Sequence, residues 1–84
     1  MDKIYEFEAR LTGILKWLEF DVIVWHIEPE RISLRVEKYG FVYQRFFTRV
    51  EIEQAGFDAP KYWSQVINDK FNKQRSGRTQ DGNV

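Results

Sequence analysis

The chain has no cysteine, a single histidine, two prolines and no excess charge of either sign. Without cysteine it forms no disulfide and offers no thiolate to a metal or an electrophile. One histidine excludes a two-histidine metal site or a paired proton relay within one chain. Thirteen basic residues balance thirteen acidic ones, so the broad positive field on which nonspecific phosphate binding depends is lacking. No apolar run reaches the roughly 20 residues of a helical membrane span. Met1-Asp2-Lys3 leads into IYEFEARL, whose charges leave no apolar segment for a secretory leader. A cytoplasmic location is therefore expected. A nucleophile elbow, a phosphate loop and a zinc motif are also missing. Ser33, Ser64 and Ser76 have no base within sequence-visible range, and Glu6/Glu8 and Glu51/Glu53 read as solvated faces rather than acid–base pairs. His26, Glu28 and Glu30 have the spacing of ligands along one strand, but Pro29 interrupts it. No catalytic residue, cofactor or metal site is expected, and an enzyme is not.

What the sequence has in excess is rings. Fourteen of 84 residues are Phe, Trp or Tyr, and each buries on the order of 150–250 Å² when enclosed. A single domain this short hides only roughly 60–65% of the surface of its unfolded chain. It must also shelter its Ile, Leu and Val residues, so some rings should stay at the surface unless a partner covers them.

Residues 3 to 18 carry two patterns. Ile4, Phe7, Leu11, Ile14, Leu15 and Leu18 share one helical face. Tyr5, Phe7, Ala9 and Leu11 alternate like a strand, and Gly13 would suit a turn with Thr12. The apolar face persists past Gly13, which favours the helix. A strand is expected to be running by Phe20, and VIVWHI, apolar at nearly every position, predicts a strand covered on both faces. Glu28-Pro29-Glu30 reads as a turn, and Ile32, Leu34 and Val36 as the inner row of a half-buried strand. Lys38-Tyr39-Gly40 reads as a hairpin loop returning through Phe41 to Phe47, with the register open by one residue. Thr48-Arg49-Val50-Glu51 has capping-box spacing for a short helix ending at Gly56. Asp58 and Pro60 open a last helix, with Phe57 stapled on Tyr62 and a buried stripe of Trp63, Val66, Ile67 and Phe71. The expected architecture is α+β. An antiparallel β-meander of three strands (four if residues 4–11 are a strand) carries an N-terminal amphipathic helix and a C-terminal helix. It forms one compact domain over residues 1–73, with a flexible tail over 74–84.

Tyr39-Gly40-Phe41-Val42 resembles the middle of the RNP1 signature by which RNA-recognition motifs stack bases. The resemblance implies a single-strand-binding sheet. The chain departs from it where Tyr39 follows Lys38 directly, without the first glycine, and where Gln44 replaces the last ring. Ile4-Tyr5 stands where the partner motif would begin but leads into Glu6, and no strand is read after Phe71. The order helix, three strands, helix resembles double-stranded-RNA-binding domains, which carry a lysine cluster at the start of the last helix. Here that place reads Ala59-Pro60-Lys61-Tyr62.

Alternation sends Phe41, Tyr43 and Arg45 to one face and Val42, Gln44 and Phe46 to the other, and one helix layer cannot cover both. The expected function is a small non-catalytic protein-interaction domain, a homodimer or an accessory or inhibitory protein docking on a partner. Its size and neutral charge suit a phage or mobile-element protein. The expected partner surface includes Trp25, Tyr39, Phe41, Tyr43 and Arg45. The alternative is a single-stranded nucleic-acid-binding module using Phe41 and Tyr43 of the hairpin with Lys70, Lys73, Arg75 and Arg78 of the basic C-terminal end.

Overall fold

The computed structural model describes residues 2–83, with side chains as far as Gln74. Helix α1 (Lys3–Trp17) leads into strands β1 (Val22–Ile27), β2 (Arg31–Lys38) and β3 (Phe41–Thr48), then α2 (Arg49–Gln54) and α3 (Ala59–Asn83). The sheet is an antiparallel meander in the order β1-β2-β3, as the alternation predicts. The predicted tail, 74–84, falls almost wholly on residues whose side chains lie outside the description.

Helix α1 forms despite Gly13 because Ile4, Phe7, Leu11 and Leu15 are all buried along one stripe. Asp2 caps it, its carboxylate accepting from the Ile4 N–H at 2.8 Å. The helix ends in a Schellman turn: the Phe20 N–H donates to the Leu15 carbonyl and the Glu19 N–H to that of Lys16. Phe20 and Leu15 are both buried, which completes the motif. The residue at its left-handed position is Glu19, with φ 67°, where glycine is the usual occupant. Phe20 thus belongs to the helix terminus, and β1 starts two residues later than its alternation suggests.

Both helices lie on one side of the sheet. Ile32, Leu34 and Val36 of β2 are fully buried there, between rows from β1 (Ile23, Trp25, Ile27) and β3 (Phe41, Tyr43, Arg45, Phe47). A ladder of edge-to-face rings ties the layers together. Trp25 meets Phe7 at 6.2 Å, Phe7 meets Phe47 at 5.5 Å, and Phe47 meets Trp63 at 5.3 Å. Each such pair contributes roughly 0.5–1.5 kcal/mol beyond its buried area. Phe20 and Phe71 form a separate pair at 5.0 Å.

The α2 capping box forms as read, with Thr48 and Glu51 bonded reciprocally. Pro60, Ile67 and Phe71 of α3 are buried and Trp63 and Val66 partly so. Phe57, read as a staple on Tyr62, instead carries the Arg10 guanidinium 3.8 Å from its ring centre and is 76% exposed. VIVWHI, read as covered on both faces, is an edge strand whose Val24 and His26 are exposed. With α1 and α3 in one layer, nothing among the described residues covers its other face.

Two glycine exchanges follow from the α1 backbone. Gly13 sits mid-helix with no atom within 4 Å of an added Cβ, while Glu19 holds a conformation that favours glycine. Gly13→Ala and Glu19→Gly should each raise the unfolding free energy by about 0.5–1 kcal/mol. Urea denaturation reads the change directly, and a loss in either variant would contradict this account of the helix.

Candidate functional site

The β2–β3 turn decides which rings a partner can reach. Tyr39 and Gly40 both have positive φ, 56° and 77°, the pattern of a two-residue type I′ turn. The loop is therefore Tyr39-Gly40 alone, and Lys38 stays in β2 opposite Phe41. Lys38 is buried, its ammonium donating to the Leu18 carbonyl at 2.6 Å and lying 5.0 and 4.9 Å from the Phe20 and Tyr39 ring centres. Because Lys38 shares the inner face with Val36 and Leu34, so do Phe41, Tyr43, Arg45 and Phe47.

Four of the five residues expected to contact a partner thus face the helices. The Trp25 indole N–H donates to the Thr12 hydroxyl at 2.7 Å. Tyr43 has the Lys70 ammonium 5.6 Å from its ring centre. Phe41 packs against the core. The Arg45 guanidinium lies 4.1 Å from the Trp63 ring centre and 5.2 Å from that of Phe47, with Glu51 at 3.8 Å. Its Nε is buried and has no hydrogen-bond partner among the described residues. Tyr39, in the turn, is exposed. Of the residues read as a nucleic-acid surface, Lys70 and Lys73 are exposed on α3, and the side chains of Arg75 and Arg78 lie outside the description.

Other residues are more exposed than these. The open face of the sheet presents Val24, Val42 and Phe46, each about half exposed. They are set among Arg31, whose guanidinium is 4.7 Å from the Phe46 ring centre, and an Arg35–Glu37 ion pair at 2.8 Å. His26 and Glu28 approach to 3.7 Å, and Glu30 does not join them. No group of three metal-ligating side chains occurs among the described residues. On the helical side, Trp17 is 81% exposed at the end of a shallow groove with Ala9, Arg10, Gly13 and Ile14. Arg10 also lines a second hollow, of about 170 Å³, beside Phe57 and Ile52. Six of the fourteen rings are exposed: Tyr5, Trp17, Tyr39, Phe46, Phe57 and Tyr62.

The edges of the sheet are the third feature. The Glu28 N–H donates to the Arg31 carbonyl at 3.0 Å, which fixes the phase of the β1–β2 ladder. Residues 22, 24 and 26 exchange bonds with β2, so the N–H and C=O groups of Ile23, Trp25 and Ile27 point away from the sheet. The edge they form has no proline, charge or bulge between Val22 and Ile27, the devices that blunt an open strand.

The two-residue length of the Tyr39-Gly40 loop is the signal that assigns these faces from sequence. It carries the parity of the Ile32-Leu34-Val36 row across the turn. Among the described residues no helix is long and apolar enough to cross a membrane.

Arg45 offers a test of this inner face. Its stem fills space under Trp63, so Arg45→Ala should cost roughly 1–3 kcal/mol. Arg45→Met keeps the stem and removes the unbonded Nε, and should stay within about 1 kcal/mol of the parent. Urea midpoints followed by tryptophan fluorescence distinguish the two, and equal losses would contradict a packing role. No family model, curated protein or solved structure matches this chain.

Proposed function

We propose that this chain is a small non-catalytic interaction domain that acts as a homodimer or docks as an accessory on a partner protein in the cytoplasm. The observation that supports it is the exposure of six rings after the core is complete. Exposed aromatic rings are what protein interfaces are enriched in, and here they accompany a bare sheet face and an unblunted strand edge. An accessory or inhibitory protein of a phage or mobile element fits the size and neutral charge.

Single-stranded nucleic-acid binding is the second reading, favoured by the proximity of Lys38 to Tyr39 and of Lys70 to Tyr43. It ranks lower because Phe41 and Tyr43 turn toward the helices, away from the open face on which bases would stack.

Rings held for a partner should be dispensable to the fold. Trp17→Ser, Phe46→Ser and Phe57→Ser should each change unfolding free energy by less than about 1 kcal/mol, while at least one weakens association in sedimentation equilibrium. Losses above about 2 kcal/mol in all three would mean the rings serve the chain's own core, and the proposal fails. A labelled oligothymidylate in low salt tests the second reading. It requires binding that weakens steeply with salt and is lost in Tyr43→Ala or Phe41→Ala with the fold intact.

A further inference from the structure

We infer that the partner is a second copy of this chain, joined through the β1 edges to form a continuous six-stranded antiparallel sheet. The inference rests on the reading of an interaction domain and names its occupant and its register. Three outward-facing residues, Ile23, Trp25 and Ile27, are spaced evenly about Trp25. A two-fold axis at Trp25 sets Trp25 against its own copy and Ile23 against Ile27 of the other chain. Every outward N–H and C=O of the three then finds a partner, and six hydrogen bonds form.

The neighbouring registers fail for identifiable reasons. Moving the axis one or two residues toward the C-terminus puts Pro29, which has no N–H, opposite Ile23 or Trp25. Moving it the other way puts Asp21 opposite Ile27 or Trp25, and the Asp21 N–H already donates to the Glu37 carbonyl at 3.0 Å. The edge is thus self-complementary in one alignment.

Helix α1 agrees with that axis. The Trp25 side chain is bonded to Thr12, which places Thr12 level with the axis. The helix side that carries Thr12 also carries Glu8 and Lys16, one turn before and one turn after it. Neither makes an ion pair among the described residues. Under the two-fold, α1 lies antiparallel to its copy, and Glu8 of each chain comes level with Lys16 of the other. A strand of six residues is short for a stable interface, and the paired helices add the remaining area.

The absence of cysteine permits a direct test. On the open face the proposed register sets Val24 opposite His26 of the second chain, in a non-hydrogen-bonded pair with Cα atoms about 4.5 Å apart, within disulfide reach. Val24→Cys and His26→Cys chains, mixed and mildly oxidised, should give a cross-linked heterodimer far faster than either alone. Glu8→Lys and Lys16→Glu should each weaken dimerisation in sedimentation equilibrium by about three- to tenfold, and the double exchange should restore it. A dimer without preferential mixed cross-linking, or without charge rescue, overturns the β1 seam and leaves the interaction-domain reading standing. A chain that stays monomeric at 200 µM, taken as a concentration of order 10⁻⁴ M, overturns the second-copy assignment and turns the same edge over to a strand from another protein.

Discussion

One layer of helices covers one face of a sheet, and the rest of this molecule follows from that. Among the described residues β2 alone is bonded on both sides, and its inner row of Ile32, Leu34 and Val36 is the floor on which α1 and α3 rest. Everything on the opposite face of the sheet stays bare, however apolar it is. Among the described residues there is no third layer to cover it. The consequence is a protein whose interior is complete and whose exterior still carries Phe46, Val24 and Val42.

The ring surplus resolves within the same geometry. Rings enclosed in the interior pair edge to face, so the aromatic ladder from Trp25 to Trp63 links β1, α1, β3 and α3. Those outside it are spread over the bare sheet face, the turn and the helical surface. The open β1 edge is more localised, because backbone groups there have fixed directions and fixed spacing. Directional bonding specifies alignment in a way that scattered apolar surface does not.

Much of the architecture was legible in the sequence. The meander, the capping box at Thr48, the buried α1 stripe and the Ile32-Leu34-Val36 row follow from periodicity and end signals. Faces and edges were harder. VIVWHI looks like a strand sheltered on both sides, but apolar content cannot distinguish a covered strand from an edge strand that has yet to meet a neighbour. Phe20 looks like strand because alternation begins before the helix has finished unwinding, and the left-handed residue that marks the boundary is Glu19 in place of a glycine. The length of one loop decides that Phe41, Tyr43 and Arg45 turn toward the helices. A tyrosine with positive φ is uncommon enough that Lys38-Tyr39-Gly40 reads as three loop residues when it is two.

Lys38 carries a consequence for the motions of the molecule. Its ammonium is the bolt between two places distant in sequence, the last turn of α1 and the tip of the hairpin, and aromatic rings flank it. Opening either place pulls that cation out of its carbonyl bond and into water. The same bond thus ties the end of α1 to the hairpin tip, and losing it weakens both.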